Sequence, residues 1–234
     1  MKHNGSFAEK NIRFLNGLKF SGDLPEGVEV LVPYKNPAVK EAVRAYYSSF
    51  YDDPAERIFM FGINPGRFGS GITGISFTDP IRLKAIAGID HSFEMKGELS
   101  SEFIYAMIEA YGGLKEFASR FFLTAVCPLG FTLNGKNYNY YDDPDLESAV
   151  RPFVLKTMQQ QIKIGASRKV AVCIGEGDNF KYFNGLNLEQ GWFERIVALP
   201  HPRWVMQYRR KQLATFINRY VETLQSLEEE LKNH

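Results

Sequence analysis

The chain has 234 residues, 44% of them hydrophobic, and its 28 Lys+Arg against 27 Asp+Glu leave a formal charge of +1. That is enough apolar material for the core of one domain, and it excludes a polycation or a solvating acidic chain, so any nucleic-acid site has to be a local patch. The lone cysteines Cys127 and Cys173 exclude a disulfide scaffold, a zinc ribbon and a four-cysteine iron–sulfur site, and they favour a reducing compartment.

In chain order, the start MKHNGSFAEKNIRF lacks the apolar stretch of a signal peptide, and no run of about 18 apolar residues follows. The expectation is a soluble, cytoplasmic protein with no membrane partner. Residues 1–50 are expected to form a helical N-terminal extension packed on a single domain spanning 1–234, since Pro and Gly are scattered rather than gathered into a linker. Apolar positions at helical spacing predict a helix over 37–51. Four short, nearly continuous apolar runs then predict strands buried on both faces: Arg57–Gly62, Phe121–Val126, Lys169–Ile174 and Arg195–Leu199. Between them the helical period predicts helices over 101–120 and 144–164, with Pro152 starting or kinking the second. A last helix carries the stripe Leu213, Phe216, Ile217, Tyr220, Val221, Leu224, Leu227 and Leu231. The expected fold class is α/β, a three-layer sandwich with a central, mostly parallel four-stranded sheet flanked by helices. Each strand ends in a turn, and ligands bind such sheets at the carboxyl edge.

Two of those turns carry chemistry. Gly62-Ile-Asn64-Pro65-Gly66-Arg67-Phe68-Gly69 holds a lone amide between glycines that let a ligand approach the backbone, and Pro65 forces Asn64 out of helical geometry. Neither GxxxxGK[ST] nor GxGxxG is completed here or at Gly175-Glu-Gly177-Asp178, which excludes the phosphate-loop and dinucleotide patterns. The competing reading is that Asn64 only hydrogen-bonds the turn's own backbone. His201, between Pro200 and Pro202, projects from a stiff loop beside it, against the alternative that it is surface or core furniture. From Arg195 to Arg219 the chain has six basic residues and no acid, with Trp204 and Tyr208 interleaved. This is either a phosphate-backbone footprint or a solvated helix face.

Taken together, these segments resemble the single-strand-selective monofunctional uracil-DNA glycosylases, or a bacterial branch or sister group within the uracil-DNA glycosylase superfamily. Gly62 to Phe77 is similar to that family's GMNPG-x-FG followed by TG-x-x-F, Ala125-Val-Cys-Pro-Leu129 to its NYCPL segment, and His201-Pro202 to the HP of its last motif. The resemblance implies base excision from DNA that is single-stranded or mismatched and contains uracil or a related damaged base, by a monomer needing no cofactor and no metal. It implies that Asn64 orients water and His201 stabilises the departing base as the catalytic pair. Gly62, Ile63, Gly66, Phe77 and Ala125 would contact the base, with Phe77 stacked on it. Arg67, Arg203, Trp204, Arg209, Arg210 and Lys211 would contact DNA. Two departures qualify this. Ala125 stands where the family has the asparagine that reads the uracil edge, and HPR replaces the HPSPR of the vertebrate enzymes. Asn134, Asn137 and Asn139 are the nearest amides that could substitute. The alternative is a protein of the same fold, catalytically weakened or inactive, that binds nucleic acid or a nucleobase.

Overall fold

The computed structural model describes residues 5–232; the ends of the expected single domain, 1–4 and 233–234, lie outside them. Among the described residues seven strands form: β1 (Val28–Leu31), β2 (Ile58–Gly62), β3 (Phe121–Ala125), β4 (Gly130–Leu133), β5 (Lys136–Tyr138), β6 (Val170–Ile174) and β7 (Arg195–Leu199). The four expected apolar runs become one sheet in the order β3-β2-β6-β7, and every pairing in it is parallel. Every residue of β2, β3 and β6 is buried, as continuous apolar runs covered on both faces require. Gly62 lies opposite Ala125, and Ile174 opposite Leu199, so all four carboxyl ends emerge along one edge.

A second sheet, β1-β4-β5, is antiparallel and absent from the sequence expectation. Its β4–β5 hairpin turns at Asn134-Gly135, both at positive φ (50° and 69°). Those are the residues a two-residue hairpin turn favours. What the sequence presents as a polar loop is thus a strap whose far strand returns to the turn after β2.

The helices follow the apolar periods with three differences. The stretch 101–120 is two helices, Leu99–Tyr111 and Leu114–Arg120, because Gly112 and Gly113 take φ of 133° and 93°, outside the range of a right-handed helix. The helix Pro144–Gly165 starts at Pro144, capped by the Asp143 carboxylate, and runs on through Pro152. The N-terminal stretch is not purely helical, since β1 lies between helices Phe7–Asn16 and Pro37–Phe50. Phe7 is buried against Phe59 and Phe122, which ties the first helix to the sheet. Beside it the buried guanidinium of Arg57 bonds the Asp53 carboxylate and the Ala118 carbonyl, so a charge in the core is fully paired. The last helix, Leu213–Lys232, fully buries only Tyr220, Leu224 and Leu227 of its stripe. The remaining apolar positions pack at its margins.

Candidate active site

A cavity of about 610 Å³ opens where the strands end, lined by Gly62, Ile63, Asn64 and Gly66 of the turn after β2. Phe77, Ala125, His201, Arg203 and Trp204 are also among its lining residues. The structure therefore brings together both expected catalytic residues and all five expected base contacts. Of the expected DNA contacts, Arg203 and Trp204 line the cavity and Arg67, Arg209, Arg210 and Lys211 lie outside it.

Asn64 does not bond its own turn. Its Nδ2 donates to the Tyr138 carbonyl at 3.3 Å, and its Oδ1 accepts the Tyr140 N–H at 3.4 Å. Both partners belong to the returning strand β5 and its continuation, so the hairpin fixes which end of the amide is which. One N–H and one lone pair remain for a ligand. The strap is pinned again at Asn137, whose Oδ1 accepts the Arg67 N–H at 3.0 Å, and by the Arg67 guanidinium on the Gly135 carbonyl. At Gly130 a Cβ would lie 2.1 Å from the Pro65 carbonyl, so only glycine lets β4 approach the turn this closely.

His201 caps the helix Pro202–Tyr208, with Nδ1 accepting the Arg203 N–H at 3.2 Å. That bond makes Nε2 the protonated nitrogen. Desolvation of the ring, with the Arg203 charge beside it, holds its pKa down to about 4, so the imidazole is neutral at pH 7.

Phe77 has a φ of 54°, rare for an aromatic residue and found where function constrains the backbone. Its N–H donates to Ser70 Oγ at 3.1 Å, and its ring lies against the end of β2, where a Cβ on Gly62 would come within 2.6 Å of Cζ. Ala125 is buried, its carbonyl accepting Gln161 Nε2 at 3.2 Å. Of the amides that could replace an asparagine there, Asn137 and Asn139 line the cavity and Asn134 forms the hairpin turn. Asn139 Nδ2 donates one N–H to Asp142 at 3.1 Å and keeps the other along with its Oδ1, while Asn137 has its Oδ1 on the Arg67 N–H and keeps its NH₂ group.

The basic tract is exposed. Arg209 stacks over Trp204, 5.0 Å from the ring centroid, and Arg210 pairs with Glu102 at 2.9 Å. Several wall residues have no signal in the sequence, among them Glu98, a half-buried carboxyl that lines the cavity together with Glu176 and Asp178. Burial raises the Glu98 pKa, opposed by hydrogen bonds from Ser100 and by the charge of Arg203. Among the described residues no group of three or more His, Cys, Asp or Glu could hold a metal ion, and no helix is long and apolar enough to cross a membrane.

Comparison with known proteins agrees with this fold. The family model of the uracil DNA glycosylase superfamily matches residues 49–225. The crystal structure of wild-type SMUG2 from Pedobacter heparinus is 40% identical and superposes with a TM-score of 0.94, covering 96% of this chain and 99% of that one. No curated protein matches.

Proposed function

The chain belongs to the uracil-DNA glycosylase superfamily, and from that premise we propose that it is a monofunctional glycosylase of base excision repair, hydrolysing the N-glycosidic bond of uracil or a related damaged base in DNA. The observation that carries this reading is the presence, in one cavity, of an orientation-locked Asn64 amide and a neutral His201 whose Nε2 bears the proton.

The mechanism follows from what each group can do. A target nucleotide is extruded into the cavity, at a cost of a few kcal/mol that is lowest in single strands and mismatches. The flipped base stacks on Phe77. Asn64 cannot remove a proton, so its free lone pair orients the attacking water and the barrier is lowered by stabilising the departing base. His201 Nε2–H donates to the base oxygen where negative charge grows, a contribution of about 3 kcal/mol in sites of this type. A neutral donor suits this, because it keeps its proton while the leaving anion forms. Trp204 and the arginines around it supply stacking and phosphate contacts at the mouth. The reaction as drawn uses no cofactor and no metal.

Ala125 favours a second reading, a weakened enzyme or a binder of nucleobases, because a pocket without a reading amide discriminates poorly. Base release from a panel of lesion-bearing oligonucleotides in the presence of a chelator separates the two. Release of uracil supports the enzyme; binding without release of any base supports the alternative.

A further inference from the structure

Tyr140, just beyond strand β5, touches the site with its backbone and the core with its side chain. Its N–H donates to Asn64 Oδ1 at 3.4 Å, and its fully buried phenol donates to Asn179 Oδ1 at 2.7 Å. Asn179 stands in the first turn of the helix Asp178–Gln190 and is itself buried. Its Nδ2 continues the chain, lying 3.3 Å from both the Ile174 carbonyl and Cys173 Sγ at the end of β6. A connected run of hydrogen bonds therefore joins the Asn64 amide, in the turn after β2, to the neighbouring strand of the sheet. Although Asn179 lines the cavity, its NH₂ group is committed to β6 and its Oδ1 to the phenol. The Tyr140 ring packs on those of Tyr141 and Tyr182, with centroids 5.1 and 4.7 Å away.

The polarity of the strap decides which way the Asn64 amide points. Nδ2 meets the Tyr138 carbonyl and Oδ1 the Tyr140 N–H, and exchanging the two would set oxygen against oxygen and N–H against N–H. Both contacts, at 3.3 and 3.4 Å, lie at the long end of the hydrogen-bond range, so a small shift of residues 138–140 breaks them. The pin at Asn137 and the Arg67 N–H is exposed, and water can replace either partner there. The phenol–Asn179 bond is buried, and breaking it leaves a polar atom unpaired. We propose that Tyr140 and Asn179 are positioning residues for Asn64: their buried hydrogen bond holds the Tyr140 backbone in place and through it keeps the Asn64 amide oriented, with a lone pair free for the attacking water. The consequence in catalysis rests on the glycosylase reading, whereas the tie between the phenol and the Asn64 amide stands independently of it.

The test uses Tyr140→Phe, which removes the hydroxyl and keeps the ring, with Tyr182→Phe as its control, since that hydroxyl is buried on the neighbouring ring and lies outside the chain of bonds. Proton–nitrogen-15 spectra of the side-chain amides, with the Asn64 signals identified by their loss in Asn64→Ala, give a readout that needs no activity. They are expected to show an Asn64 NH₂ pair protected from exchange in the parent and in Tyr182→Phe, and a shifted, faster-exchanging pair in Tyr140→Phe. In single-turnover excision Tyr140→Phe should be slower by about 10- to 100-fold, the scale of a small misplacement of a catalytic group, with half-saturation unchanged. Asn179→Ala should also be slower, and the double variant no slower than the slower of the two. In an Asn64→Ala background Tyr140→Phe should slow the residual rate by less than about twofold, because no amide remains to be positioned. Unchanged Asn64 signals in Tyr140→Phe overturn the proposal, as does a parent-like rate. A loss that persists undiminished in the Asn64→Ala background overturns it too, since that marks a general loosening of the fold. If the parent releases no base at all, the glycosylase reading fails while the Asn64 signals still decide the role of Tyr140.

Discussion

The backbone N–H of Arg203 donates to Nδ1 of His201 at 3.2 Å, so one hydrogen bond both caps a helix and sets the tautomer of the ring. The first helical turn needs an acceptor for its unpaired N–H groups, and meeting that need commits Nδ1 and leaves Nε2–H for the cavity. Stability and chemistry are thereby coupled at one ring.

That coupling has a pH signature. The folded pKa of His201 is about 4 against about 6.5 for an unfolded histidine. Between these values the unfolded chain binds the extra proton, so His201 contributes stability that is full above about pH 6.5 and is lost as pH falls toward 4. Replacing His201 by Asn, which caps without titrating, should make chemical-denaturation stability fall less steeply from pH 6.5 to 4. An identical slope in the variant would mean that the ring titrates normally.

Gly62 and Phe77 form a second pair. A methyl group on Gly62 would lie 2.6 and 2.8 Å from the Phe77 ring, so Gly62→Ala must displace the ring from the site where it stacks. Overpacking of this kind costs roughly 1–3 kcal/mol. Weaker substrate capture with a retained fold, read as a higher half-saturation in single-turnover titrations, is the expected result. Unchanged capture would remove Phe77 from the base-stacking role.

The sequence made the sheet legible because β2, β3 and β6 are unbroken apolar runs, and it made Asn64 and His201 legible because prolines hold both at strand ends. The β4–β5 strap was missed although Asn134-Gly135 is a strong hairpin signal; its strands are short, and the second, β5, has no buried residue, so no period marks it. Glu98 had no signal at all. It sits in a mixed polar stretch, and only tertiary packing against Gly69 brings it to the cavity. For the same reason the sequence could not tell that Arg67 is turned onto the Gly135 carbonyl.

The exposed tract Arg209, Arg210 and Lys211 should act on affinity rather than on chemistry. Neutralising all three is expected to flatten the dependence of log K on log salt by about 0.7 per lost single-strand phosphate contact. Arg210 already pairs with Glu102, so its share should be the smallest. An unaltered slope would assign the tract to a solvated surface.

Ala125→Asn introduces an amide at the position where the resembled NYCPL segment carries asparagine. A neutral pair of hydrogen bonds contributes about 1–3 kcal/mol, so the variant should excise uracil several-fold faster and discriminate more sharply against hypoxanthine. Equal rates would mean that another group, such as the Asn137 or Asn139 amide in the cavity lining, already reads the base.

The most direct measurement is the single-turnover release of free uracil from a single-stranded oligonucleotide by the parent, His201→Ala and Asn64→Ala, with thermal unfolding measured alongside. The expected result is release by the parent, a fall of about 10²-fold or more when the His201 donor is lost, a strong fall for Asn64→Ala, and DNA binding largely retained in both. A well-folded His201→Ala protein that releases uracil at the parent rate would contradict it.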